Sequence, residues 1–284
     1  MTTVAVAGGS REEILELARL SQIEFKNSVK FKVFDVEPDI DHEETWEYIR
    51  CESQEDMVRQ TVKSVVNQEA DILLKGGVQT HALLKELLKK EHDLKTQELL
   101  SHVALVNLPA LDRQILLTDA GMNIMPTEDQ LEQIIHNVIK VGKAIGMDHP
   151  KVALISSAEN YNPKMPSSVL SKALTERFKD SLEATVYGPL SLDLSLSKTA
   201  VEHKQFEGPI QGDADILVVP NIDVGNVLYK SFILFGEAIM GGTIVGTKVP
   251  IVLTSRSDDV ESKLYALKFA LMQVTEGKTV GGRL

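Results

Sequence analysis

Short apolar, β-branched runs alternate with segments of helical period along almost the whole chain, and this alternation limits the fold more than any other feature. "TVAVAGG" reads as a strand, "SREEILELARLSQ" as a helix with Ser10 at its start, and "VKFKVFDV" as a strand. Residues 54–69 read as a helix, "ADILLKGG" as a strand running into glycines, and "THALLKELLKKEHDL" as a helix. "HVALVNLP" and "QILLTDA" read as neighbouring strands. "TEDQLEQIIHNVIKVGKAIGM" reads as a long amphipathic helix: Leu131, Ile134, Ile135, Val138, Ile139 and Val141 share one face, and Thr127 with Gln130 forms a capping box. A second series follows: "KVALISSA", a helix from about 167 to 180, "LEATVYGPL", a helix near 192–204, "DILVVP", a helix around 224–239, and a last core strand at 249–253. Strands separated by helices predict an α/β protein with a mostly parallel sheet and helices on both faces.

A chain of 284 residues exceeds the usual single core. The break at "GMDHPKV", where Gly146 and Pro150 end the long helix, is the expected boundary. The expected domains are 1–145 with 246–284, and 146–245. No stretch reaches the roughly 18–20 apolar residues of a membrane helix, and the N-terminus lacks a signal-peptide pattern. The expectation is a cytoplasmic protein that does not engage a membrane. A net charge of −11 argues against nucleic acid as partner, because phosphate-neutralising chains carry a basic face. Cys51 is the lone cysteine, so neither an intrachain disulfide nor a cysteine metal cluster is possible. Its setting, "YIRCESQED", reads as a polar helical stretch around a bland surface or half-buried thiol.

Ligand sites in such sheets gather where strands end. That selects Lys75-Gly76-Gly77 with Gln79-Thr80, residues 118–123, Ser156 to Lys164, Gly188 to Asp193, Pro220 to Asn226, and Ser255-Arg256. "KGGVQT" is a strand, a glycine turn and a helix start, which suits an anion. It also suits a plain turn with Thr80 as cap, and it has neither P-loop nor dinucleotide spacing. Asn221, Asp223 and Asn226 are ordinary turn and cap types, while Asn226 and Lys230 fall one helical turn apart. "MGGTIVG" reads as another glycine-rich turn. The seven histidines form no metal signature. Asp119, Asp193, Asp223 and Asp258 have no telling spacing, and no Ser stands in a G-x-S-x-G elbow.

Taken in order, "ADILLKGGVQT", "LLTDAGMNIMPT", "NPKMPSS", "GDADILVVPNIDVGNVLYKS" and "GGTIVGTKVPIVLTSRSDDVESKLYAL" resemble the phosphate acetyl- and butyryltransferases, and the last two blocks resemble the butyryl branch. The resemblance runs from about Ala70 to Leu267. It implies a two-domain α/β/α sandwich like that of the isocitrate/isopropylmalate dehydrogenases, with a cleft between the domains. It implies reversible transfer of a butyryl or branched short acyl group between CoA and inorganic phosphate, with phosphate acetyltransferase as the alternative. It implies no metal or other cofactor, a homodimer or larger homo-oligomer, and a downstream acyl-phosphate kinase.

The resemblance also assigns residues. Ser255 matches the active-site serine, a donor to the oxyanion or to the departing sulfur, and Arg256 matches the arginine beside it. Lys75, Gly76, Gly77, Thr80, Asn123, Asn226, Lys230, Gly241 and Gly242 are the expected substrate-binding set. One position departs: acetyl-type members carry an Asp seven residues after the serine, and here that residue is Ser262. Asp258 or Asp259 could cover its role as base, phosphate itself could take the proton, or the thiol could be deprotonated elsewhere; the two acids equally suit capping of the following helix. Two further readings fit the fold. A metal- and NAD-dependent decarboxylating dehydrogenase would need clustered carboxylates and a nucleotide loop, which the sequence lacks. A non-catalytic CoA-binding module would have no use for Ser255-Arg256.

Overall fold

A computed structural model describes residues 1–37, 46–253 and 259–274. The chain folds into two compact units, 1–96 with 241–284, and 97–240. The boundary expected at 145/146 falls inside the second unit. Gly146, at φ +98°, merely ends a helix that packs on strands both before and after it in sequence. A helix-to-strand turn of that kind looks like a domain break only while its tertiary partners are unknown.

In the first unit the strands lie in the order β3 (Trp46–Arg50), β2 (Val29–Asp35), β1 (Thr2–Ala7), β4 (Ile72–Lys75), β11 (Ile251–Leu253), β10 (Ile239–Val245). All neighbours are parallel except β10 on β11. Register is set by burial on both faces: Val4 and Val6 point to one side, Ala5 and Ala7 to the other, and all four are fully buried. The first side packs on α1 (Glu12–Glu24) and α9 (Val260–Val274) through Ile14, Leu17, Leu267 and Ala270. The second receives α2 (Gln54–Val66), which also touches α3 (Thr80–Leu87).

β3 was not foreseen. Trp46, Tyr48 and Ile49 are strand formers, but the interleaved Glu47 and Arg50 gave the stretch a helical look. Cys51 therefore follows an edge strand and is buried to 4% exposure, not set in a polar helix. Burial, with Asp56 and Asp35 adding to it, pushes its thiol up to about 11.

The second unit runs β5 (Ser101–Asn107), β6 (Ile115–Thr118), β9 (Ile216–Val218), β7 (Lys151–Ile155), β8 (Thr185–Leu190). β5 is antiparallel to β6 and the rest are parallel. α4 (Glu128–Ala144) and α5 (Pro166–Arg177) cover one face. α6 (Leu192–Leu196), α7 (Lys198–Lys204) and α8 (Ile222–Gly236) supply the other core through Leu194, Val201 and Phe232. The expected capping box is present: Gln130 N donates to Thr127 Oγ1 at 3.3 Å, and Thr127 N to Gln130 Oε1 at 2.9 Å. The helix expected over 192–204 breaks at Ser197, whose hydroxyl accepts from Ala200 N at 3.2 Å and restarts the chain as α7.

Candidate active site

In the first unit three parallel strands end in one row. Ala7 pairs with Lys75, and Lys75 with Leu253. The chain beyond this row is "GGSR" after β1, "GGVQT" after β4 and "TSRSDD" after β11. Ser255, Arg256 and Asp258 lie outside the described residues.

The glycines of this row fit one another. Gly76 N donates to Ala7 O at 3.0 Å and Gly77 N to Gly8 O at 2.6 Å. A Cβ on Gly76 would collide with the Gly8 carbonyl oxygen. Gly8 itself sits at φ +81°, with Gly77 N 2.7 Å from where its Cβ would be. Gly76 is thus required by backbone-to-backbone packing. At Gly77 a Cβ would meet only ordinary contacts, including Arg11 Nε at 3.6 Å. Lys75 is buried to 7% exposure, with Nζ 3.5 Å from Gly76 O.

Thr80 opens α3 but is not its cap. Gln79 holds the cap position without a side-chain hydrogen bond, and the first turn carries no acid. Among the described residues, no side chain caps these first-turn amides, and amides at a helix start suit an anion. Ser10 likewise is not a cap: its N–H donates to Asp35 Oδ2 at 2.7 Å, and Arg11 stands at the start of α1. Asp35, 3% exposed, also accepts from Val36 N at 2.7 Å. Gly8, Arg11 and Asp35 were missed by sequence reasoning; the Gly-Gly after a strand in "AVAGGSR" was the available signal.

Gly241 and Gly242 do not form a turn. Both lie within β10, and a Cβ on Gly241 would come 2.5 Å from Ala266 N in α9. At the other end of the row, Asp259 accepts from Ser262 N at 2.8 Å and Lys263 N donates to Asp259 O at 3.2 Å. This is a helix start, and the bonds from Ser262 hold the Asp259 carboxyl below its usual range. Of the two acids considered as base, Asp259 is engaged as a cap.

The second unit gathers a separate polar cluster after β6. Asp119, 2% exposed, accepts from Gly121 N and Met122 N at 2.9 Å each and from Asn123 Nδ2 at 2.6 Å. Asn123 also donates to Leu100 O at 2.9 Å, so its amide is tied to the loop. His102 lies beside this loop, edge-on to Tyr229 at 6.2 Å, and its Nδ1 is shielded without a partner. Burial pushes His102 below its ordinary value, while the Asp119 carboxylate works the other way. α8 approaches closely because residue 225 is glycine: a Cβ there would lie 2.6 Å from Asp119 O. Asn221 caps α8, accepting from Val224 N at 3.0 Å. Asn226 Nδ2 reaches Ala120 O at 3.5 Å, and Lys230 is exposed one turn on.

The loops after β7 and β8 border a cavity of about 940 Å³ within the second unit, lined by Ser156, Ser157, Ser191, Asp193 and Arg113 among others. None of the residues nominated for substrate binding lines it. The acids considered for a metal are not brought together among the described residues: Asp119 is tied to amides, and Asp193 pairs with Lys204 at 3.0 Å. The one group of metal-type side chains there is Glu86, Glu91 and His92. In it Glu86 already pairs with Lys89 at 2.7 Å and meets His92 Nε2 at 3.0 Å.

Residues 42–271 match the family described as phosphate acetyl/butaryl transferase. The chain belongs to that family. It is 36% identical over 278 residues to a probable phosphate butyryltransferase of Bacillus subtilis (strain 168), covering 95% of this chain and 92% of the relative. It is 40% identical over 214 residues to the phosphate butyryltransferase of Clostridium acetobutylicum, covering 74% and 71%. A branched-chain phosphotransacylase from Enterococcus faecalis V583 superposes with a TM-score of 0.94 at 55% identity, covering 97% of this chain and 100% of that one. A 4-hydroxythreonine-4-phosphate dehydrogenase from Salmonella typhimurium, at 12% identity and a TM-score of 0.58 over 96% and 99%, shares the fold alone. The dehydrogenase-like α/β architecture is thereby shown. The dehydrogenase activity in that neighbour's name does not follow from it.

Proposed function

We propose that this acyltransferase moves a four-carbon or branched short acyl group between CoA and inorganic phosphate, yielding acyl phosphate and CoA. The observation that carries the reading is family membership over 42–271, joined to the row in which Leu253, just before Ser255-Arg256, pairs with Lys75. In the reaction a phosphate oxygen forms a bond to the thioester carbonyl carbon. The carbonyl becomes an oxyanion, then re-forms as the C–S bond breaks and CoA leaves as thiolate, taking a proton from solvent or a nearby acid. A donor fixed where that oxyanion develops is worth about 3–4 kcal/mol. We assign that donation to Ser255 and phosphate binding to Arg256, a planar cation suited to bidentate contact.

The amides at the start of α3, with Thr80 and Gly77, offer an anion subsite at the same strand ends. Both substrates are anions, so holding them together supplies much of the rate. No further cofactor enters the reaction, since the thioester carries the activation. With Asp259 engaged as a cap, Asp258 is the acid left for proton transfer. A cytoplasmic homo-oligomer passing acyl phosphate to a kinase completes the reading. No described helix is long and apolar enough to cross a membrane.

The test is thiol release from acetyl-, butyryl- and isobutyryl-CoA with and without phosphate. Phosphate-dependent release fastest with the four-carbon substrates supports the proposal. Preference for acetyl-CoA moves the chain to the acetyl branch, named for a Thermotoga maritima relative 36% identical over 217 residues. Absence of phosphate-dependent release overturns the transferase reading.

A further inference from the structure

The turn between β1 and α1 brings a cation to the row of strand ends in the first unit. Asp35 fixes that turn. One of its carboxylate oxygens accepts from Ser10 N at 2.7 Å, and the other from Val36 N at 2.7 Å and Glu37 N at 3.2 Å. Gly8, at φ +81°, carries the chain over Gly77, whose N–H donates to Gly8 O at 2.6 Å. Arg11 follows as the residue before α1, with an extended backbone and a half-buried side chain. Its Nε lies 3.6 Å from the point where a side chain on Gly77 would begin. Because residue 77 is glycine, that side of the guanidinium is left uncovered.

The acids packed around this turn are engaged elsewhere. Asp35 has both oxygens on amides. Glu13 meets Lys263 Nζ of α9 at 3.5 Å, and Asp259 accepts from Ser262 N at 2.8 Å. Among the described residues Arg11 pairs with no carboxylate, whereas Arg59, Arg113 and Arg177 each pair with at least one. A guanidinium is a rigid fork of donors that stays charged and matches two oxygens of one phosphate. A chain of net charge −11 repels anions as a whole, so an anionic substrate needs positive charge at the point of binding. Lys75, in the same row, is buried with Nζ 3.5 Å from Gly76 O, and Arg11 is the more exposed of the two.

We propose that Arg11 binds a phosphate group of a substrate across the turn at Gly77, in the row formed by the ends of β1, β4 and β11. The inference rests on the acyl-transfer reading, in which one substrate is inorganic phosphate and the other carries phosphates in CoA. The chemistry shared by the two is a pair of phosphate oxygens facing the guanidinium, which the acyl group does not offer. Arg11 holds its anion by charge and hydrogen bonds and exchanges no proton, because a guanidinium does not titrate in the working range. Positions 11 and 77 are distant in sequence, and the parallel pairing of Ala7 with Lys75 brings them together.

The experiment is steady-state thiol release, varying phosphate at fixed butyryl-CoA and the reverse, with calorimetric titration of inorganic phosphate and of CoA in parallel. Arg11→Ala should raise the KM of one substrate about 10- to 100-fold, with a smaller change in kcat, and should weaken binding of the same ligand in the titration. Arg11→Lys should recover part of the loss, because the charge is kept and the fork is not. Arg59→Gln removes a charge from an ion pair on α2 and should change neither KM, which separates the local effect from net charge. A raised KM for phosphate assigns the site to inorganic phosphate. A raised KM for butyryl-CoA that disappears with butyryl-pantetheine assigns it to a phosphate of CoA, and one that persists there overturns the proposal. Should Arg11→Ala lower the urea midpoint, Arg11→Gln, which keeps most of the stem, decides instead. Unchanged KM values, or a fall in kcat alone, also overturn it. Phosphate-dependent release indifferent to Arg11 sinks this site alone. Absence of release from the wild type, with anion binding that still depends on Arg11, sinks the transferase reading alone.

Discussion

The pairs Gly76-Gly77 and Gly241-Gly242 read alike in sequence, each following or preceding an apolar β-branched run, yet they occupy different parts of the first unit. The first pair closes the row of strand ends, with Gly76 fitted against Gly8 and Gly77 left in ordinary contact beside Arg11. The second lies inside β10, where Gly241 lets the backbone of α9 come close at Ala266. Glycine in both places answers first to backbone packing. What separates a glycine near chemistry from a glycine in a wall is the position of the strand end, which a dipeptide does not encode.

The sharpest way to test this contrast is to measure stability and turnover separately. Ser255→Ala should produce the largest effect of all, a loss of about 10²–10³ in turnover with CoA binding and folding retained. Steady-state thiol release beside calorimetric titration with CoA checks it. Unchanged turnover would remove Ser255 from the site and with it the reason to place Gly77 there.

Next comes Gly76→Ala, whose new Cβ meets a backbone oxygen that cannot rotate away. We expect a cost of about 3 kcal/mol or more, at the top of the range for overpacking, read as a lowered urea midpoint. Gly241→Ala should cost about 1–3 kcal/mol, since α9 can shift slightly, and should leave KM for phosphate unchanged. Gly77→Ala should cost under about 1 kcal/mol and instead raise KM for phosphate or CoA. Equal stability losses at 76 and 77, or a raised KM at 241, would break the contrast between the pairs.

A smaller effect concerns the cluster of the second unit. His102 is held below its ordinary value of about 6.5 by burial. The unfolded chain then binds the proton more readily than the folded one. Its contribution is whole above about pH 6.5 and is lost as pH falls from there toward the lower folded value. His102→Leu should flatten the fall in urea midpoint between pH 7.5 and pH 5, which unfolding curves at the two values would show. The least effect is expected at Cys51, whose thiol at about 11 is almost wholly protonated near neutrality. Iodoacetamide should label it slowly in the folded chain and quickly in denaturant.

Much of the fold was legible because burial leaves a periodic mark. The faces of α4, the strands at 72–75, 115–118 and 151–155, and the α4 capping box all follow from local spacing. β3 was not legible, because an edge strand buries one side and keeps charged residues on the other, which blurs its period. The domain boundary was not legible either, since α4 packs on β9, about seventy residues further on. At the site, Asp258 and Asp259 read in sequence as base or cap alike, and the engagement of Asp259 depended on the start of α9. Gly8, Arg11 and Asp35 gave weak local signals and gain their place only through pairing of β1 with β2 and β4.

The sequence by itself determined the α/β class, most of the elements and the family, because apolar period and ordered motifs are properties of the chain read in one dimension. Only the tertiary structure decided that Gly76 is held by Gly8, that Gly241 serves α9, that Cys51 is buried, and that Arg11 stands beside Gly77. Each of these depends on which backbone lies a few ångströms away from a residue distant in sequence, and no local pattern carries that distance.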